Sequence, residues 1–254
     1  MAWDPDLYLK FDRLRLLPAR DLIARIPAFG PRRISDLGCG TGNATRLLAE
    51  RFPDAAIEAV DNSPAMLART DARGIRWNQA DIATWRPAQP PHLIFSNAAL
   101  HWLDDHETLF PRLMSDLPDD GVLAVQMPRN FDAPTHRCIV ETVRNGPWSS
   151  RLQARLRPCP VAAPSDYFDL LAPHASSVEI WETEYLHVLA GANPVADWTA
   201  STAMRPFLDG LEGEERAQFE KAYRERIARA YPRRPDGATL LPFRRLFILA
   251  VRQD

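Results

Sequence analysis

Cysteine is scarce in this chain of 254 residues: Cys39, Cys138 and Cys159 are odd in number and widely spaced. That pattern matches neither a disulfide framework nor a zinc site, so no metal is expected and a reducing cytoplasm is the expected address. No apolar run reaches the roughly eighteen residues of a membrane helix, and the opening MAWDPDLYLKFDR lacks the order of a secretory signal. Lysine is almost missing, with only Lys10 and Lys221 among 31 basic residues, and the formal net charge is −2. A chain without excess positive charge is no general nucleic-acid binder. Coding bias accounts for much of the arginine excess, yet the planar guanidinium also suits carboxylates as lysine does not. Glycine is sparse too, at 11 residues, and three of these crowd into Gly38, Gly40 and Gly42.

Those three sit in ISDLGCGTGN, residues 34–43, where an apolar strand containing Asp36 runs into a loop and then the helical segment NATRLLAERF. Glycines there let the backbone take positive φ and approach a ligand closely, and Asn43 is expected to cap the helix. A dinucleotide fingerprint places its third glycine one residue later, in the slot that Asn43 fills, which disfavours a dehydrogenase.

Three further strand ends carry polar groups. AIEAVDNSPAML ends a strand in Asp61, and Asn62, Ser63 and Pro64 form a helix start with proline at a first position. A carboxylate there can accept two hydrogen bonds from the adjacent hydroxyls of a ribose. GIRWNQADIATW leads to Asp81 and Ile82, and PHLIFSNAALHWL to Asn97, Ala98 and then Trp102. Ligands of open α/β sheets lie beyond the carboxyl ends of the strands, so Asp36, Asp61, Asp81 and Asn97 form a coherent set.

Strand and helix patterns alternate from Arg32 to Pro128: RRISDL, AIEAV, IRWNQ, PHLIF and GVLAVQMP, with HETLFPRLMSDL as a helix before the last. This predicts an α/β fold, a doubly wound and mostly parallel sheet of seven strands. SVEIWETEYLHVL and LLPFRRLFILAVR supply strands six and seven. VADWTASTAMRPFL and EERAQFEKAYRERIARAY are expected helices, the second with Phe219, Tyr223, Ile227 and Tyr231 on one face. A single domain over 1–254 is expected, with its core sheet at about 30–128, 177–189 and 239–252. Residues 1–28, 129–176 and 190–236 are expected to cap the site, loop insertions being where substrate choice resides. No internal repeat is present.

The order D-x-G-x-G-x-G, followed by an acid at the next strand end, resembles motif I of the class I S-adenosylmethionine-dependent methyltransferases, which have a Rossmann-like sheet. The resemblance implies S-adenosyl-L-methionine as cofactor. It implies Asp36 near the ammonium, Gly38, Cys39 and Gly40 along the amino-acid end, and Asp61 with Asn62 at the ribose. Met66, Asp81, Ile82, Asn97, Ala98 and Trp102 complete the cofactor set, with Asp81 on the adenine amino group and Ile82 against its ring. Cys39 is expected to contribute backbone only.

WDPDLYLKF, DLGCGTGNAT, DNSPAML, NAALHWL, GVLAVQMPRNFDAPTH, TAMRPFL and LLPFRRLFILAVR span nearly the whole chain and resemble the trans-aconitate 2-methyltransferase family. Thr41 stands where that family tends to have proline, and residues 144–164 resemble it least. The resemblance implies methyl transfer to a carboxylate of a small tricarboxylate. A carboxylate is already ionised at neutral pH, so no general base is needed and alignment with exclusion of water suffices. Cationic partners for such an acceptor are expected from Arg205, Arg245, Arg129 and His136, with Tyr8 and Asn130 as neutral donors. Another acid or hydroxyl acceptor, or a cofactor-binding module without activity, also fits these residues. No nucleic-acid or membrane partner is expected, and a monomer is compatible with the sequence.

Overall fold

The structure, a computed structural model, describes residues 11–70 and 74–253. Tyr8, expected among the neutral donors, lies outside the described residues. In chain order the elements are α1 (Asp12–Arg25), β1 (Arg33–Leu37), α2 (Asn43–Arg51), β2 (Ala56–Asp61), α3 (Pro64–Leu67), β3 (Ile75–Gln79) and β4 (Leu93–Asn97). Then come α4 (His106–Ser115), β5 (Val122–Pro128), α5 (Pro134–Arg144), α6 (Ser149–Leu152), α7 (Pro164–Leu171) and β6 (Ala175–Ala190). The chain closes with α8 (Pro194–Ala200), α9 (Arg205–Leu208), α10 (Gly213–Ala230) and β7 (Ala238–Arg252). No helix among the described residues is long and apolar enough to cross a membrane.

The seven strands form one sheet in the order β3-β2-β1-β4-β5-β7-β6. The β1 to β5 ladders are parallel, and β7 runs antiparallel to β5. This is the expected doubly wound α/β fold. The chain divides into two compact units, one of residues 15–128, 160–183 and 245–254, the other of 1–14, 129–159 and 184–244.

In the first, or sheet, unit β5 is buried along its whole length, and β1 and β4 nearly so. Strands covered on both faces read as continuous apolar runs, which is why RISDL, LIFSN and VLAVQMP were legible. Because β1 lies between β2 and β4, the strand order reverses at the β1/β4 boundary, where the crevice of an open sheet forms. Nearby, buried His106 has its Nδ1 2.7 Å from the Tyr167 hydroxyl and its Nε2 2.9 Å from the Leu100 carbonyl. A carbonyl only accepts, so Nε2 carries the proton. Burial holds this imidazole below its ordinary pKa, and it stays neutral while fixing the turn after β4.

The second, or helical, unit is built on α10. Phe219, Tyr223 and Ile227 recur every four residues and are fully buried, as the periodicity predicts, while Tyr231 packs only partly buried against the same core. Phe219 meets the Trp148 ring edge-on at 5.1 Å, and Tyr223 donates its hydroxyl to Thr199 Oγ1 at 2.9 Å.

Two local expectations are corrected. Asn43 does not cap α2: Gly42 is the N-cap, at φ 78°, and Asn43 is the first helical residue, its Oδ1 accepting from Arg46. The single helix expected over VADWTASTAMRPFL is two, α8 and α9. Ser201 and Thr202 donate their hydroxyls back to the Trp198 carbonyl at 3.0 and 3.2 Å, side-chain bonds of the kind that compete with helix continuation.

Candidate functional site

The glycine loop follows β1 and is locked from below by an aspartate of the neighbouring strand. Asp61 Oδ2 accepts from the Gly40 N–H at 2.9 Å, and its Oδ1 accepts from the Ser63 N–H at 2.8 Å. Ser63 caps α3 through the Met66 N–H, with Pro64 at the first helical position as the sequence predicts. Each carboxylate oxygen has two acceptor directions. One on each is used by the backbone, which leaves Asp61 able to accept from a vicinal diol.

The glycines of the loop do different jobs. A Cβ on Gly38 would overlap the Cβ of Ala99, and one on Gly42 would meet the Trp77 ring at 2.5 Å, so both are required by protein packing. A Cβ on Gly40 would find nothing within 4 Å, although φ is 55° there. Gly40 therefore keeps its bare face toward open space, as a ligand cradle requires. Gly38→Ala should destabilise the fold by about 3 kcal/mol from left-handed strain plus overpacking. Gly40→Ala should cost only the strain, about 1–2 kcal/mol, while removing most ligand affinity. Urea unfolding beside ligand titration separates the two variants.

Asp36 is 1% exposed, and its Oδ2 accepts from the Thr45 hydroxyl at 2.6 Å. Burial raises its pKa from 3.8 to about 7; the Thr45 bond opposes that rise, and the charge of Asp61 adds to it. Cys39 is buried, and burial, together with Asp36 and Asp61, pushes its thiol well above the ordinary range. It is a protonated thiol without nucleophilic character.

Across the loop stand the ends of β3 and β4. Asp81 is exposed, and its Oδ1 accepts from the Ala83 N–H at 2.9 Å. Ile82 is half-buried, and Arg112 pins this turn by donating to the Trp85 and Ile82 carbonyls at 2.7 and 3.1 Å. Ala98 holds φ 55° without being glycine, its N–H bonded to the Gln126 carbonyl at 2.9 Å. Left-handed alanine is costly and concentrates at working sites. Asn62 is exposed, Met66 half-buried, and Trp102, 49% exposed, packs on His101. All twelve residues expected on the cofactor side belong to the sheet unit.

The residues expected on the acceptor side differ in environment. Arg245, in the sheet unit, is 4% exposed and donates from Nη1 to Gln126 Oε1 at 3.4 Å. Arg129, half-buried, and Asn130, 4% exposed, belong to the helical unit. His136 lies there too, beside the Phe131 ring. Burial lowers its pKa to about 4, so it offers a neutral imidazole rather than the expected cation. Arg205 is exposed and sits 3.6 Å from Asp209 in an i,i+4 pair. Thr45, Arg112 and Gln126 escaped the sequence reading because their partners lie 9, 30 and 119 residues away. No cluster of metal-ligating side chains occurs among the described residues.

Comparison with known proteins agrees with this fold. A family described as "Methyltransferase domain" matches residues 34–121, from β1 to the start of β5. A trans-aconitate 2-methyltransferase of Yersinia pestis (strain Pestoides F) is 49% identical over 254 residues, 99% of this chain and 98% of its own. One of Azoarcus sp. (strain BH72) is 47% identical over 253 residues, 99% of each. Among solved structures, phosphoethanolamine N-methyltransferase 2 of Haemonchus contortus, in complex with S-adenosyl-L-methionine, shares the fold. It aligns with TM-score 0.56 and 14% identity over 94% of this chain and 53% of its own. With near-half identity along essentially its whole length, the chain belongs to the trans-aconitate 2-methyltransferase family, within the class I methyltransferases.

Proposed function

We propose that this enzyme transfers the methyl group of S-adenosyl-L-methionine to one carboxylate of trans-aconitate, giving a monomethyl ester and S-adenosylhomocysteine. The observation that carries the reading is 49% identity to a relative of that name with almost no residue of either chain left uncovered. The site fits the cofactor. Gly40 has open space where a side chain would be, and Asp61 has acceptor capacity left for a diol.

On this reading Asp61 would hold the ribose hydroxyls and Asp36 the ammonium of the amino-acid end. Asp81 would take the adenine amino group, and Ile82 and Ala98 would bracket its ring. Bound S-adenosylmethionine supplies an electrophilic methyl group on a cationic sulfur. The acceptor carboxylate forms the O–CH3 bond as the S–CH3 bond breaks, and no proton moves, so the chain needs no base. Its work is alignment and exclusion of water. Arg245, buried and held by Gln126, is the proposed cation for a spectator carboxylate. Arg129 and Arg205 are proposed as further cations, and Asn130, His136 and Tyr8 as neutral donors. A bidentate arginine would blunt a nucleophilic carboxylate, so the neutral donors are assigned to the reacting group. The cytoplasm is the proposed location, since three cysteines, odd in number and widely spaced, suit a reducing compartment.

The test is a coupled turnover assay comparing trans-aconitate, cis-aconitate, citrate and isocitrate at equal concentration. A preference for the trans isomer of about tenfold or more in kcat/KM is expected, and Arg245→Ala should raise the acceptor KM about a hundredfold. Cofactor binding without turnover of any of the four would discard the acceptor.

A further inference from the structure

Three polar side chains, Gln126 and Arg245 buried and Asn97 half-buried, stand in a row across β4, β5 and β7. The register pairs Asn97 with Gln126 in parallel, and Gln126 with Phe247 and Pro128 with Arg245 in antiparallel sense. Side chains alternate along a strand, so Asn97, Gln126 and Arg245 share one face of the sheet. Arg245 donates to Gln126 Oε1. A guanidinium cannot accept, so this bond fixes the amide, with Nε2 turned away from the arginine. Gln126 is 0% exposed, and its buried Nε2 has no partner among the described residues. The same is true of the buried Oδ1 of Asn97, the residue it pairs with. One is a donor and the other an acceptor, and buried groups of either kind are normally satisfied.

We propose that Gln126 is a positioning residue that joins the cofactor and acceptor sides of the reaction. In the cofactor-bound state its Nε2–H bonds Asn97 Oδ1, so that Arg245, Gln126 and Asn97 become one chain of hydrogen bonds. Asn97 then presents its own Nδ2 donors to the cofactor. The Gln126 carbonyl already holds the N–H of strained Ala98, so one residue orders both cofactor-facing positions after β4, by main chain and side chain. Ordering Asn97 from one end and Arg245 from the other makes the two ligands help each other. This inference rests on the cofactor role of Asn97 and the acceptor role of Arg245 proposed above.

The experiment is calorimetric titration of the full-length protein with S-adenosylhomocysteine, alone and with saturating trans-aconitate, a pair that cannot react. Wild type should bind S-adenosylhomocysteine at least about fivefold more tightly when trans-aconitate is present, the lower end of ordinary coupling. Gln126→Glu keeps an acceptor for Arg245 but loses the donor, and Gln126→Met loses both at similar length. Each should weaken S-adenosylhomocysteine about tenfold and abolish the coupling, while kcat at saturating cofactor stays within about threefold. A purely structural role would lower the melting temperature and leave the coupling intact. Wild-type affinity and coupling in both variants would overturn the proposal, and so would absence of coupling in a wild type that turns over trans-aconitate, which requires no variant to fold. If wild type binds S-adenosylhomocysteine but never turns over trans-aconitate, the acceptor reading falls, and Gln126→Glu affinity alone still decides the link to Asn97.

Discussion

Asp61→Ala should weaken S-adenosylhomocysteine binding at least a hundredfold, a loss of about 3 kcal/mol. Two effects of one carboxylate combine. Its oxygens accept from the Gly40 and Ser63 N–H groups, so alanine frees the loop and unpins the start of α3. It also removes both acceptors proposed for the ribose diol, and hydrogen bonds to a charged group are worth about 1.5–3 kcal/mol each. Asp61→Asn is the instructive partner. Its amide keeps one acceptor oxygen but sets an NH2 group against a backbone N–H, so it should recover little. Urea unfolding should show the apo protein weakened by about 3 kcal/mol, the lower end for two backbone bonds to a charged group. A variant that binds S-adenosylhomocysteine within threefold of wild type would take Asp61 out of the cofactor site.

Asp61 was legible because every signal around it is local: an apolar strand, an acid at its end, then asparagine, serine and proline. The same holds for the glycine loop and the strand segments, whose boundaries fall within a few residues of the expected ones. What escaped was set by burial and by distant partners. Nothing in PTHRC announces that His136 will be desolvated enough to stay neutral. Nothing near Ile82 announces that Arg112, on α4, will hold its carbonyl. Asn43 suited a cap by residue type, but the loop needed a left-handed residue one position earlier, and Gly42 took the cap. The break between α8 and α9 follows from two hydroxyls folding back on the Trp198 carbonyl, a competition that an apolar period does not register.

Asp36→Asn should make the apo protein more stable and the enzyme a poorer cofactor binder. The carboxyl is 1% exposed and titrates at about 7 in the folded chain, against an ordinary value of 3.8. Between these values the folded state holds a proton that the unfolded state has lost, so stability falls as pH rises through the window. Above about pH 7 the full penalty applies, on the order of 4 kcal/mol. Asparagine keeps an oxygen for the Thr45 hydroxyl and carries no charge. Its stabilising effect should therefore be largest near pH 8 and fade toward pH 4, as urea unfolding across that range would show. The proposed ammonium contact gives the charge its purpose. In wild type, S-adenosylhomocysteine should bind about tenfold more weakly at pH 6 than at pH 8 and release close to one proton at pH 6, because binding must ionise Asp36. Calorimetry in buffers of different ionisation enthalpy reads that proton directly. Adenosine, which has no ammonium, should show neither effect, and Asp36→Asn should abolish both. Asp61→Ala should shift the wild-type window to lower pH, since the Asp61 charge is one of the causes of the raised Asp36 pKa. Binding of S-adenosylhomocysteine that is flat from pH 6 to 8 would leave Asp36 as a buried support for Thr45 and the helix behind the loop, with no hold on the ligand.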